Sequence, residues 1–427
     1  MKHDGVPRRH GTGWASVTPQ PARNGFERGR SALVLRDRAP AHNDEISVVD
    51  GTTFVVSDAL GDILPGSEHG FFRSDTRFLS ALALTVDGER VVLLSSRATS
   101  PRTAAIYATN PRLANVPADT LTLVRERSLD GRLRETLAVT NHGPEPAELD
   151  IVFECASDFA DIFEVRGHAG NGAASHPHPG RRAYAVRFDF RGARMRCATV
   201  IRSSEPPRVE EDGRLRYPVR LAPRETWRLD LDVEAWIAQP GPRRPSRAAR
   251  QRQPTPEDAS PPSLESDFEP LVRAYDQVVQ DLQALRLVQI GGHSVPAAGL
   301  PWFMAIFGRD SLITGLETLA LNPDLARGAL HALARYQARE VDDFRDAEPG
   351  KIPHEIRHGR LAPRGRVPHG RYYGTVDATP LFLVTLAETV RWTGDLRLAR
   401  RLLPAVEAVL RWIDQHGDQD GDGFVEY

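Results

Sequence analysis

Between Ser31 and Trp236 the apolar positions come in short alternating runs, the period of strands with one face buried. Thr52-Thr53-Phe54-Val55-Val56 and Leu82-Ala83-Leu84-Thr85-Val86 are of this kind, and Asp87-Gly88 is a hairpin turn ahead of Val91-Val92-Leu93-Leu94. A stronger hairpin runs from Leu121 to Arg127, turns at Asp130-Gly131 and returns over Leu133 to Val139, since Asp-Gly supplies the positive φ angles of tight turns. Recurrent turns with no long helical stretch between them predict an antiparallel β-sandwich over residues 31–236. Beyond Glu265 the period becomes helical. Phe268, Leu271, Val272, Tyr275, Val278, Val279, Leu282 and Leu285 make one apolar stripe, preceded by a capping box at Ser266 and Glu269. Further helices are predicted over Ser311–Leu321, Pro323 to about Glu340, Pro380 to about Thr393 and Leu396 to about Gln415. Asn322-Pro323 and Thr379-Pro380 each pair a capping residue with a first-turn proline. Short polar turns between helices favour antiparallel helical hairpins.

Two stretches carry neither period. Residues 1–30, rich in Gly, Pro and Arg, are predicted to be a disordered tail. Residues 237–264 hold seven prolines between Pro240 and Pro262 and an arginine cluster, the composition of a linker. That leaves two domains, 31–236 and 265–427.

Composition narrows the function classes. Fifty-five basic against 57 acidic side chains, a net charge of −2, provide no global field for nucleic acid. No apolar run is long enough to span a membrane, and the first residues lack the apolar stretch of a signal peptide. Two cysteines, Cys155 and Cys197, cannot build a disulfide framework or a four-thiolate metal site. A cytoplasmic protein without cofactor or metal is expected; the oligomeric state is not readable.

Four loops gather polar and aromatic side chains between the helices. The first, Pro301 to Asp310, sets Trp302 near Arg309 and Asp310, an apolar platform beside a guanidinium–carboxylate pair suited to vicinal sugar hydroxyls. Asp310 could equally cap the next helix. The second, Glu348 to Gly359, contains His354-Glu355-Ile356-Arg357-His358, a literal zinc-protease signature. That chemistry needs a helix, which Pro353 and Gly359 forbid, and the extended motif fails because Leu361 and Arg364 stand where glycine and a third histidine belong. The loop either lines a pocket or covers a surface. The third, Arg371 to Pro380, includes Tyr372, Tyr373 and Asp377; Asp377 is too early to cap a helix capped by Thr379. The fourth, Asp418 to Tyr427, begins like an EF-hand calcium loop, with acids at the first, third and fifth positions and glycine at the sixth; an acidic turn between helices is the preferred reading.

Taken in order, Leu300-Pro301-Trp302-Phe303 through Gly308-Arg309-Asp310-Ser311, Pro349-Gly350-Lys351-Ile352-Pro353-His354-Glu355, Tyr372-Tyr373-Gly374-Thr375-Val376-Asp377-Ala378-Thr379-Pro380 and Asp420-Gly421-Asp422-Gly423-Phe424-Val425-Glu426-Tyr427 resemble the bacterial glycogen-debranching or amylo-alpha-1,6-glucosidase family, akin to mannosylglycerate-hydrolase-like glycosidases. Gly70-Phe71-Phe72-Arg73-Ser74-Asp75-Thr76-Arg77-Phe78-Leu79 resembles the domain that precedes such catalytic domains. The resemblance implies a multidomain β + α chain: an N-terminal antiparallel β-sandwich followed by an incomplete (α/α)6 toroid of helical hairpins. It implies inverting hydrolysis of alpha-glucosidic, chiefly alpha-1,6, linkages in glycogen-type oligosaccharides, with acid and base carboxylates about 6.5–9.5 Å apart. Trp302, Arg309, Asp310, His354, Glu355, Tyr372, Tyr373 and Asp377 are then the expected substrate-binding residues. The family's acid lies in a Gly-Trp-x-Asp-Ser stretch that does not occur here, so the catalytic pair is expected beyond the end of this chain. A non-catalytic carbohydrate-binding or scaffold protein and a disaccharide phosphorylase are the alternatives.

Overall fold

The computed structural model describes residues 45–167, 177–179, 184–192, 195–237, 261–288, 294–362, 367–418 and 420–426. The predicted tail and all of 238–260 in the predicted linker lie outside them.

Three antiparallel sheets fill the N-terminal part. The largest runs, in spatial order, His178–Pro179, Ala185–Arg191, Arg196–Ser203, Thr226–Ile237, Leu133–Asn141, Leu121–Leu129, Thr103–Thr109, Val92–Ser100. The second runs Arg208–Val209, Arg214–Leu221, Ala147–Ala156, Ala81–Val86, Glu89–Arg90. Alternation does what it predicts: along Leu121–Leu129, Leu121, Leu123, Arg125, Arg127 and Leu129 are buried and the residues between them are not. The hairpin at Asp130-Gly131 pairs Leu129 with Leu133, with Gly131 at φ +73°. Asp87-Gly88 closes only a stub, because Glu89–Arg90 is two residues long and Val92–Ser100 crosses to the large sheet.

The third sheet, Glu45–Asp50, Thr53–Asp58, Gly70–Arg73 and Thr76–Leu79, ties the two halves together. Val48, Val55 and Phe71 pack into the sandwich core, while Val49, Phe54, Val56 and Phe72 join the core of the helical part. Phe54 and Phe72 stack at 4.7 Å on that second face.

Among the described residues the helices are α1 (Ile162–Val165), α2 (Glu269–Ala284), α3 (Gly308–Glu317), α4 (Pro323–Tyr336), α5 (Ala378–Thr393) and α6 (Leu396–Trp412). Helices α3 and α4 approach closely where Gly315 faces Ala326; a Cβ on Gly315 would stand 2.9 Å from the Ala326 backbone. Asn322 caps α4 through its side chain, accepting from the Asp324 amide at 3.0 Å. A sandwich followed by helices packed as hairpins is thus the architecture.

Three expectations need correction. The capping box of α2 does not form: Pro270 sets the helix start at Glu269, and Ser266 accepts from the Phe268 amide at 3.1 Å instead. The stripe of α2 is not a buried face, since Phe268, Leu271 and Val278 are exposed. Helix α5 starts two residues before Pro380, which moves Asp377 into the capping position, while the Thr379 hydroxyl accepts from the Ile352 amide at 3.0 Å.

Candidate functional site

Three segments meet at the start of α3. Ile306–Phe307 pairs antiparallel with Glu355–Ile356, and Tyr372 bridges Glu355 from the other side. His354 lies between them, its amide donating to the Tyr372 carbonyl at 2.7 Å and its own carbonyl accepting from Gly308 at 2.9 Å. Gly308 is required there. A Cβ would fall 2.1 Å from the Pro353 carbonyl oxygen and 3.0 Å from the Ala378 Cβ, so backbone approach, rather than a side chain, joins the segments. The zinc-protease signature is therefore a strand and loop, not a helix, as its prolines and glycines require.

Arg309, exposed in the first turn of α3, donates to the Asp377 carboxylate at 2.8 Å. The Thr375 hydroxyl donates to the other oxygen of Asp377 at 2.5 Å. Burial works against the Asp377 charge, but the Thr375 and Arg309 hydrogen bonds outweigh it and hold its pKa below the ordinary carboxylate range. Asp310, half-buried in the same first turn, does not cap α3, whose capping position is Phe307. Its charge reaches both Arg309 and His354.

Burial lowers the His354 pKa, and Glu355 opposes that only in part. His354 Nδ1 is a buried atom with no hydrogen-bond partner. Rings continue from it: Phe303 to Phe307 at 5.6 Å, Phe307 to His354 at 5.6 Å, His354 to Tyr372 at 6.0 Å and Tyr372 to His369 at 5.0 Å. Phe303 is exposed at one end of the series.

Glu355 is buried between Arg357, which donates to it at 2.9 Å, and His369, paired with its second oxygen. Burial would raise its pKa, but these two partners lower it.

Arg309, Asp310, His354, Glu355, Tyr372 and Asp377 are thus brought together, and two predicted site residues are not on the same footing. Tyr373 is turned inward, buried with Ala338 and Ala347, its hydroxyl donating to the Tyr336 carbonyl at 2.7 Å. Trp302 is half-buried against the helical core with the Arg166 guanidinium 5.6 Å above its ring, and its carbonyl accepts from Arg357 at 2.8 Å. Sequence reasoning gave no role to Phe303, Thr375, Arg357, His369 or Asp75. All but His369 lay in stretches that stood out on other grounds, yet nothing local marked what each would touch.

At the far end, Asp418, Asp420, Asp422 and Glu426 set carboxylate oxygens within 4.8 Å of one another, a set able to hold a hard cation such as calcium. A groove of about 570 Å³ between α4 and α6, lined by Arg335, Arg339, Arg401 and Arg411, shares no residue with the His354 cluster.

Comparison with known proteins bears on the fold. Residues 48–232 match the family described as the N-terminal domain of (some) glycogen debranching enzymes. No curated protein matches the sequence. Among solved structures, one described as "Putative kojibiose phosphorylase from human microbiome" superposes with a TM-score of 0.54 at 9% identity, over 88% of this chain and 57% of that one. An inverting mannosidase from Bacteroides thetaiotaomicron gives 0.40 at 11% identity, over 88% of this chain and 53% of its own. The chain therefore spans little more than half the length of either. At such identities the first likeness speaks to fold, a sandwich followed by paired helices. Over residues 48–232, then, the sandwich of this chain is similar to the N-terminal domain of (some) glycogen debranching enzymes.

Proposed function

We propose that this chain is the sandwich and part of the helical domain of a glycoside hydrolase acting on alpha-glucosidic, chiefly alpha-1,6, linkages of glycogen-type oligosaccharides with inversion. The domains are taken as 31–236 and 265–427, joined across 237–264, in a cytoplasmic protein. Two buried free cysteines support a reducing setting. Arg309, Asp310, His354, Tyr372 and Asp377 grip sugar hydroxyls, with Glu355 behind them and the exposed Phe303 as an apolar platform. Trp302 sits at the margin of this surface, and Tyr373 serves it only from within the core. The proton donor and base are not among these residues.

One observation carries the reading: the His354 ring, a guanidinium and carboxylates converge at the ends of three segments held by backbone hydrogen bonds. Sugars are recognised by such mixed donors and acceptors on a preformed frame. The fold likeness to a phosphorylase favours a second reading, phosphorolysis of a disaccharide.

Calorimetric titration of the 427-residue chain with isomaltose and maltose, with and without phosphate, tests both. Isomaltose binding that ignores phosphate and is lost in Arg309→Ala supports the hydrolase reading, phosphate-enhanced binding supports the second, and no binding by any alpha-glucoside refutes both.

A further inference from the structure

The loop after Glu355 is held by carboxylates of the sandwich. Asp75 accepts from Arg357 at 3.0 Å with one oxygen and from the His358 amide at 2.8 Å with the other. Asp161 accepts from the Leu361 amide at 2.9 Å, and Glu164 receives both the Nε of Arg360, at 2.8 Å, and a terminal nitrogen of the same guanidinium. Gly359 passes between them so closely that a Cβ would stand 2.3 Å from Asp161 Oδ2 and 3.1 Å from the Asp75 Cβ. Arg357 is the shared element. It reaches Asp75, Glu355 and the Trp302 carbonyl, and its guanidinium lies 5.5 Å from the Phe163 ring and 5.1 Å from Phe307.

Asp75 occupies this place at a local cost. Ser74 and Asp75 form the turn between Gly70–Arg73 and Thr76–Leu79 with φ of +49° and +61°, the left-handed region that glycine adopts more easily. Asp75 is also almost wholly buried, at 3% exposure. A strained turn that carries a buried acid persists where its surroundings over-determine it. Here those surroundings are the loop of the helical part.

From this we infer that Asp75, a residue of the sandwich, is a positioning residue for the His354-Glu355 segment, acting through Arg357. The inference rests on the sugar-binding reading for its functional consequence, though not for the placement of the loop. Asp75 touches no sugar. It fixes the guanidinium that holds Glu355, and Glu355 in turn adjoins His354, whose Nδ1 is buried without a hydrogen-bond partner.

The test compares the intact chain with Asp75→Asn, Glu355→Gln and the double variant. Two readouts are taken: hydrogen exchange of the peptide spanning 353–362, and isomaltose affinity. Asp75→Asn should speed exchange in that peptide while Leu121–Asn141 stays protected, and should weaken affinity about tenfold, the worth of one charge-assisted hydrogen bond. In the Glu355→Gln background it should have no further effect on affinity, because both changes release the same segment; a merely structural role would give additive losses. Unchanged exchange at 353–362, or equal affinity losses in both backgrounds, overturns the inference. If no variant and no wild-type chain binds isomaltose, the sugar reading falls and the exchange arm alone decides the positioning. Should Asp75→Asn fail to fold, Arg357→Lys takes its place: it keeps the charge but cannot span Asp75 and Glu355, so the same local loosening is expected.

Discussion

Gly308→Ala is the sharpest perturbation of the candidate site, because it adds a single methyl group at the point where three segments meet. The added carbon would lie 2.1 Å from the Pro353 carbonyl oxygen. Real Cβ contacts of under 3.0 Å are essentially never seen, so Pro353 and the start of α3 must separate by at least about 0.9 Å. The neighbours are the Pro353 backbone and the Ala378 Cβ, so no flexible side chain can swing away. That movement stretches the 2.9 Å hydrogen bond from Gly308 to the His354 carbonyl and tilts the short pairing of Phe307 with Glu355. Overpacking of this kind costs about 1–3 kcal/mol, and loss of the hydrogen bond adds about 1 kcal/mol. Helix propensity pulls the other way by only about 1 kcal/mol, since alanine is the better helix former. The net expectation is a destabilisation of about 1–3 kcal/mol in urea unfolding, with sugar affinity falling further than stability because Arg309 and His354 sit on opposite sides of the contact. A variant as stable as the parent, or more so, would refute the reasoning, for it would mean that the segments are not in contact at Gly308.

Other outcomes follow from the same geometry. Arg309→Ala should lower isomaltose affinity about tenfold and stability by less than about 1 kcal/mol, because its pair with Asp377 is exposed; calorimetry and thermal unfolding check the two separately. NMR titration of His354 should show a pKa below the ordinary imidazole value, falling further in Glu355→Gln and rising in Arg309→Ala, as loss of a nearby negative or positive charge requires. Because the folded pKa is lowered, this histidine removes stability as pH falls through its unfolded value of about 6.5 and binds a proton chiefly in the unfolded chain. In the sandwich, Glu135 pairs with both Arg125 and Arg127, all three being buried, so Glu135→Ala should cost about 3–5 kcal/mol in urea unfolding; a loss under about 1 kcal/mol would show that the arginines find other partners. Glu135 has a depressed pKa despite its burial. Its contribution is present above the ordinary carboxylate range and is lost as pH falls through the folded value, which an acid series of unfolding curves will show in the parent and not in the variant.

What could be read from the sequence was whatever a short stretch decides by itself. The Asp130-Gly131 hairpin, the alternation along Leu121–Leu129 and the Asn322 cap each depend on a few adjacent residues. So does the exclusion of a helix at His354, which Pro353 and Gly359 enforce. The candidate residues were legible as loops at helix starts, yet which side chains turn outward was not. Tyr372 and Tyr373 are neighbours on an extended segment, where successive side chains point opposite ways. One joins the His354 rings and the other reaches Tyr336. The stripe on α2 failed for a different reason: periodicity records a face able to be buried, while burial depends on what lies opposite. Asp75 and Arg357 are separated by 282 positions, and no local pattern could join them.

The same separation explains why the change in period near Glu265 divides the chain in sequence more cleanly than in space. The small sheet has two buried faces. Alternate residues, Val48 and Val49 or Val55 and Phe54, enter different cores, so a strand that reads as an uninterrupted apolar run is the seam between the two parts. Two-sided burial fixes register strongly, because a slip by one residue would exchange the sets facing the two cores. Register in turn fixes the turn at Ser74-Asp75, and the turn sets the carboxylate that meets Arg357. Packing in the sandwich is thereby transmitted to the loop beside Glu355 through rigid pairing rather than through a hinge. It is this chain of constraints, built from apolar residues with no chemistry of their own, that gives the polar cluster its geometry.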